Sequence, residues 1–226
     1  MARKTLEDVV NGLADTYNLS SYEHLNLYLV VEGIMPAAYI NFHIKEERSK
    51  TSSRINDFNI DSIKSEREKI KRTLRHKLGL NTRFAGLSLN DYFCMGHKEI
   101  YTSVDFSVSR DSYKNKEHMY AEDDYKFGIA SGFPLPAVLR YSYPGDQSHW
   151  YWYEVRDIRY DALKKNPEKH IEQAYLLWVP EGIDRESGDI APTSRQKCIE
   201  IMNFVRKNNP KLAKKMEDEF LSDLKD

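Results

Sequence analysis

The feature that most constrains the fold is an amphipathic segment between residues 61 and 78. Its apolar stripe recurs at helical spacing and consists of Ile63, Ile70, Leu74 and Leu78. Asp61 or Ser62 can cap the N-terminus, and Gly79 follows where a left-handed C-cap is favoured. The pattern predicts a central helix with one buried side.

Short segments rich in apolar, β-branched and aromatic residues precede and follow this helix. They predict strands at 25–31, 38–44, 84–89, 91–96, 99–109, 137–143, 149–160 and 174–179. Helical spacing predicts an N-terminal helix at 5–17 and two C-terminal helices from Thr193, the second beginning at Pro210. Grouped strands with helices at both ends predict an α+β fold: a mixed, largely antiparallel sheet with an N-terminal helix, a central basic helix and a C-terminal helical hairpin.

The length of 226 residues suits one large domain with a helical addition. We therefore predict an α+β core domain at residues 1–192. Residues 193–226 are predicted to form the helical hairpin, packed on that core.

Composition restricts the class of partner. Lys and Arg number 34 against 35 for Asp and Glu, so the chain as a whole does not attract nucleic acid or anionic lipid, and any such attraction must be local. Cys94 and Cys198 are far apart in the sequence, which favours a protein of a reducing compartment over a secreted disulfide scaffold. The same separation argues against a zinc site formed by cysteines. Because no segment has the ~20 apolar residues that cross a bilayer, we expect no membrane partner and a cytoplasmic location.

The central helix carries a basic stripe. Lys64, Arg67, Lys71 and Arg75 recur at three- and four-residue spacing and therefore project from one side. Such a stripe can pair with the phosphates of a nucleic acid. The alternative is an ordinary solvated helix face, since Glu66 and Glu68 interleave with the basic residues.

Aromatic residues are concentrated in a second segment, residues 137–160, which we predict to be a β-hairpin. Tyr143, Trp150 and Trp152 form its candidate binding surface, suited to stacking bases or to a protein-binding hot spot. The alternative is that these rings are half-buried in a sheet, because Tyr and Trp are common strand residues.

Two groups of charged residues resemble the PD-(D/E)xK nuclease pattern. One joins Asp105 to Asp124 and Lys126, without the proline of the pattern. The other is Asp146 followed by Glu154 and Arg156, with arginine in place of lysine and a short gap. If the chain is an enzyme, a nuclease that uses Mg²⁺ held by these carboxylates is the first candidate. Such triplets also arise by chance in a chain with 31% charged residues, and the sequence assigns no other metal ligands or cofactor.

The sequence contains no GxGxxG, GxxxxGK[ST] or GxSxG motif. The favoured function is an intracellular nucleic-acid-interacting accessory or processing protein that uses the basic helix and the aromatic hairpin. The alternative is a protein-binding or regulatory module without catalysis. A second alternative is an enzyme that acts on a small molecule through residues scattered along the chain.

Overall fold

In the computed structural model, the chain divides into a first unit, Met1–Met119, and a second unit, Tyr120–Asp226. The structure describes residues 5–45, 60–91, 100–142 and 161–225. The α+β class is confirmed, with a three-stranded antiparallel sheet, an N-terminal helix, the central basic helix and a C-terminal helical pair. The predicted division into 1–192 and 193–226 stays a prediction.

The first unit begins with two helices, α1 (Leu6–Thr16) and α2 (Ser21–Val31). Each begins with a capping box, in which Thr5 and Asp8, and then Ser20 and Glu23, satisfy one another's backbone N–H groups. The prediction of a strand at 25–31 is therefore wrong. Leu25, Leu27 and Leu29 are all buried together with Val30 and Val31, so this helix has no single apolar side for the sequence to reveal.

The sheet consists of β1 (Ala37–Lys45), β2 (Asn81–Asp91) and β3 (Ile100–Ser109), in the order β1-β3-β2. These strands confirm the predictions at 38–44, 84–89 and 99–109. One face of the sheet is a buried apolar layer formed by Ile40, Phe42, Val104, Phe106 and Val108. The pairing of β2 with β3 shifts between Phe84 and Gly86, which makes Ala85 an extra residue in a β-bulge.

Helix α3 (Ile60–His76) packs beside β2 and confirms the central helix. Its stripe of Ile63, Ile70, Leu74 and Leu78 is buried as predicted. Gly79 has a φ of 68° and ends the helix as a left-handed C-cap, and Leu80 donates its backbone N–H to the Leu74 carbonyl at 3.0 Å. The side of α3 next to this stripe faces strand β2.

The opposite face of the sheet is polar and contacts α4 (Ser112–Met119). Ser107 of β3 lies 3.0 Å from His118 Nδ1 through its Oγ, and it accepts a hydrogen bond at its carbonyl from Asn115 Nδ2 at 2.8 Å. All three residues are buried. Hydrogen bonds therefore hold α4 on the polar face of the sheet, whereas the packing on the opposite face is between apolar side chains.

The second unit is helical. It contains α5 (Asp124–Ser131), α6 (Leu135–Tyr141), a 3₁₀ helix (Pro167–Tyr175), α7 (Pro192–Asn208) and α8 (Pro210–Asp223). Asn209 accepts a hydrogen bond from the backbone N–H of Leu212 and caps α8, as its place before Pro210 suggests. The helical hairpin is confirmed, and Cys198 on its inner side is buried.

Two predicted strands of the second unit are wrong where the structure describes them. Residues 135–141 form α6 with Ala137 and Val138 buried, so the alternation in AVLRYSY arises from a short helix. The segment from residue 174 ends the 3₁₀ helix and continues without strand pairing, and its Leu176 packs with Ile190 and Cys198. The predicted strand at 149–160 lies outside the described residues. So do residues 46–59 and 92–99, and with the latter all of the predicted strand at 91–96 except Asp91.

Within the described ranges, no helix combines the length and the apolar run needed to cross a bilayer.

Candidate functional site

The four basic residues of the predicted stripe lie on one flank of α3, which we call the basic flank: Lys64, Arg67, Lys71 and Arg75. Lys64 and Arg75 are exposed, and Arg67 and Lys71 are half-buried. The flank adjoins β2, one of the two outer strands of the described sheet. The structure therefore brings together the predicted nucleic-acid-binding residues and places them beside a strand edge.

Arg75 has a tertiary role that its spacing does not reveal. Its Nε donates to Oγ1 of Thr82 at 2.9 Å, and its Nη2 donates to the Thr82 carbonyl at 3.1 Å. Two hydrogen bonds from one guanidinium thus hold the C-terminal end of α3 on β2. A guanidinium has five N–H groups, so the residue also keeps donors for a ligand.

Arg67 lies over an aromatic ring of β2. Its Cζ is 5.1 Å from the centroid of Phe84, a cation–π distance. Phe84 in turn meets Phe106 of the buried layer edge-to-face, with centroids 6.1 Å apart, yet 40% of Phe84 stays exposed. The flank therefore combines a cation with an accessible aromatic side chain.

Glu68 is an acidic residue on the same flank. Its carboxylate accepts hydrogen bonds from Lys71 Nζ at 3.3 Å and from Arg67 Nη2 at 3.4 Å. The hydrogen bond from Lys71 and the charges of Lys71 and Arg67 lower the pKa of Glu68 from its ordinary value. It is ionised at neutral pH, and it offsets part of the positive charge of the flank.

The exposed apolar side chains of β2 are a part of the site that sequence reasoning missed. Because of the bulge at Ala85, Phe84 pairs with Phe106 and Leu87 pairs with Val104, so both point to the α3 side of the sheet. Leu87 is 55% exposed. Strict alternation along FAGLSL would place Phe84 and Leu87 on opposite faces, and a bulge is hard to predict from one sequence. Gly86 is the only hint of it in the segment.

Asp105 of the predicted nuclease group lies on the polar face of the sheet, directly across from Asn41. Burial raises the pKa of Asp105, Glu23 raises it further, and His43 lowers it. The Oδ1 atoms of Asp105 and Asn41 are buried and accept no hydrogen bond from the described residues. His43 extends this polar group, with its Nδ1 3.1 Å from Ser103 Oγ and its Nε2 4.0 Å from the Glu23 carboxylate.

Two other predicted nuclease residues, Asp124 and Lys126, belong to the second unit. Asp124 stands in the first turn of α5 and Lys126 pairs with Glu122, both exposed on the second unit. Their grouping with Asp105 stays a prediction. Across the described ranges, no three His, Cys, Asp or Glu side chains come close enough to hold a metal ion. The remaining candidates lie outside the described residues: Tyr143, Asp146, Trp150, Trp152, Glu154 and Arg156.

The second unit contains an open groove that the sequence does not signal. It has a volume of about 740 Å³ and is lined by Ile183, Asp189, Ile190, Arg195, Gln196 and Ile199, among others. Arg195 donates from Nε to the buried carboxylate of Glu172 at 2.9 Å, and its Nη1 lies 3.4 Å from Asp189. Arg195 and Asp189 of the groove thus pair with each other, and the groove does not identify a ligand.

Comparison with known proteins adds no relative. The chain matches no protein-family model, and neither a similar curated protein nor a similar solved structure was found. We therefore infer the function from the chemistry of the described residues.

Proposed function

We propose that the chain is a nucleic-acid-interacting protein that contacts phosphates through the basic flank of α3. The observation that carries this proposal is the alignment of four cationic side chains beside the exposed ring of Phe84. From Lys64 to Arg75 the flank extends for about 16 Å, since a helix rises 1.5 Å per residue. This length suits contacts with several successive phosphates.

Local charge supports the proposal although the whole chain carries a formal charge of −1. Helix α3 has six Lys and Arg residues against three Asp and Glu residues. Salt pairs on the helix, such as Lys71 with Glu68, can exchange a carboxylate for a phosphate at little cost because exposed pairs contribute little to stability. We expect moderate affinity that falls steeply as salt increases.

The test is fluorescence anisotropy of labelled DNA and RNA, single- and double-stranded, at two salt concentrations. The variant Lys64→Glu/Lys71→Glu changes the basic flank without removing the contacts of Arg67 and Arg75. We expect its affinity to be lower by at least about tenfold, with a salt slope smaller by about 2. The matched control is Lys69→Glu/Arg72→Glu, which makes the same charge change on another side of α3. Equal loss in both variants, or no binding by the unmodified protein, would contradict the proposal.

The same titrations with and without Mg²⁺ test whether the chain is also a nuclease. Mg²⁺-dependent cleavage on a gel, abolished by Asp105→Asn while binding persists, would assign Asp105 a catalytic role. Uncut nucleic acid under both conditions leaves a binding function without catalysis.

A second candidate function is protein binding, and it is favoured by an apolar surface on the second unit. Tyr125 and Ile129 are spaced four residues apart on α5, as are Leu135 and Leu139 on α6, and each is 44% exposed or more. Exposed apolar residues four apart share one side of a helix, and exposed apolar sides of helices are typical of interaction sites. A partner that stays bound at high salt and is lost in Ile129→Lys/Leu139→Lys would support this candidate. Retention by that variant would contradict it.

The predicted cytoplasmic location belongs to the same proposal. A nucleic-acid ligand and two cysteines far apart in the sequence both suit a reducing compartment. Fractionation of cells that express the tagged chain tests it, and recovery from the secreted fraction would contradict it.

A further inference from the structure

The basic flank borders a surface suited to a nucleic-acid base. Phe84 is 40% exposed and Leu87 is 55% exposed, and the bulge at Ala85 places both on the α3 side of the sheet. An unstacked base has an apolar face that such side chains can cover.

Arg67 and Phe84 form a cation–π pair against which a base can stack. The guanidinium lies 5.1 Å from the ring centroid, and one third of the Arg67 side chain is exposed. A base can lie on the guanidinium plane or take its place against the ring, since both arrangements occur in protein complexes with single strands. The edge-to-face contact with Phe106 fixes the ring, so little conformational entropy is lost on binding.

The position of α3 argues against recognition of a duplex. A recognition helix enters the major groove, which is about 12 Å wide, with its reading side projecting from the protein. The basic flank of α3 is bordered by β2 and connected to it through Arg75 and Thr82. A duplex also keeps the faces of its bases stacked and out of reach of Phe84.

From these observations we infer that the basic flank binds single-stranded nucleic acid, with a base stacked on the Arg67–Phe84 pair and adjacent phosphates held by Lys64 and Lys71. This inference rests on the proposed function and specifies its ligand. Stacking tolerates any base, so we expect little sequence preference.

The experiment compares anisotropy titrations of a 12-nucleotide single strand with those of the duplex of the same sequence. The unmodified protein is expected to bind the single strand at least about tenfold more tightly. Phe84→Leu keeps an apolar side chain but removes the ring, and it should weaken single-strand binding by about five- to a hundredfold with little change in salt slope. Duplex binding should change little.

Tyr113→Leu is the matched control, because Tyr113 is also exposed and has the Lys114 ammonium 6.0 Å from its ring, on α4. This variant should bind as the unmodified protein does. A thermal unfolding curve for each variant shows whether it is folded. If Phe84→Leu does not fold, a strand with 2-aminopurine reports stacking on the unmodified protein, with lower emission expected on binding.

The outcomes separate the two proposals. Equal binding of single strand and duplex, lost in Lys64→Glu/Lys71→Glu but unchanged in Phe84→Leu, overturns the inference and leaves the proposed function standing. Unchanged 2-aminopurine emission in the complex also overturns the inference. Failure of the unmodified protein to bind any nucleic acid overturns both proposals. Competition by polyglutamate as strong as that by nucleic acid would identify an acidic polypeptide as the ligand and overturn both as well.

Discussion

Arg75 and Thr82 connect α3 to the outer strand β2 through two hydrogen bonds from one guanidinium, at 2.9 and 3.1 Å. A residue that spacing alone would assign to phosphate binding therefore also holds the fold together. A change at Arg75 should consequently affect both nucleic-acid binding and stability.

Arg75→Ala is expected to lower the free energy of unfolding by about 1 to 3 kcal/mol, because it removes both hydrogen bonds to Thr82. Thr82→Val removes one of them and should cost less. The nearby Arg72→Ala changes an exposed residue and should stay within about 0.5 kcal/mol of the unmodified protein. Urea unfolding measures all three, and equal effects of Arg75→Ala and Arg72→Ala would show that the contact contributes nothing.

Glu68→Gln is expected to tighten nucleic-acid binding by about two- to fivefold at low salt, because it removes the carboxylate that competes with phosphate for Lys71 and Arg67. The gain should shrink at high salt. Glu117→Gln makes the same change in the Lys114–Glu117 pair of α4 and should leave affinity unchanged. Anisotropy at two salt concentrations measures both, and weaker binding by Glu68→Gln would contradict the expected role of the flank.

Acid should destabilise the first unit through His118. Burial lowers the pKa of His118 to about 4, whereas an unfolded histidine titrates near 6.5. Between these values the unfolded chain binds more protons, so the stability is complete above about pH 6.5 and is lost as the pH falls towards 4. The loss amounts to up to about 3 kcal/mol. His118→Gln should flatten this part of the pH profile in urea unfolding, and the exposed His76→Gln should not.

Asp105 should act in the opposite direction. Burial raises the pKa of Asp105 above its ordinary value, so the folded chain binds more protons and stability falls as the pH rises from about 3.9 through the raised pKa. Asp105→Asn removes this loss and can also donate a hydrogen bond towards Asn41. Its advantage in the free energy of unfolding over the unmodified protein should grow between pH 3.5 and about 7. A constant or shrinking difference would contradict this account.

Gly128→Ala should disturb the packing of α5 on α6, because a Cβ at this position would lie 2.8 Å from Val138 Cγ2. We expect a loss of about 1 to 3 kcal/mol in the free energy of unfolding. Gly12→Ala is the matched control, since a Cβ on Gly12 in α1 meets nothing within 4 Å. That variant should gain about 0.5 to 1 kcal/mol from helix propensity. A neutral result at Gly128 would show that α6 shifts without cost.

The sequence predicts elements whose burial is one-sided and fails where it is not. Helix α3 has one apolar stripe and one basic flank, and both are visible in its spacing. Helix α2 is buried on several sides, so its apolar run reads as a strand, and only the capping box of Ser20 and Glu23 indicates a helix. The short α6 spans two turns, too few for its period to be distinguished from alternation.

The sequence also predicts one part of the candidate site and not the other. Helical spacing predicts the basic flank because the relevant residues lie within one element. The contribution of Phe84 and Leu87 depends on the pairing of β2 with β3, and that of Arg75 depends on a hydrogen bond to another element. Such relationships between elements have no local signal in the chain.

The bulge at Ala85 has a consequence for how relatives of this chain should be aligned. Strand β2 has one more residue than its partner across the bulge, so a relative that lacks residue 85 would keep Phe84 and Leu87 on their present side. If a relative has one extra residue between 86 and 87 and retains the bulge, the side chains after that point would instead exchange faces. Alignment gaps within one short strand therefore differ in meaning, and only those that preserve the pairing of residues 84 and 87 preserve the surface.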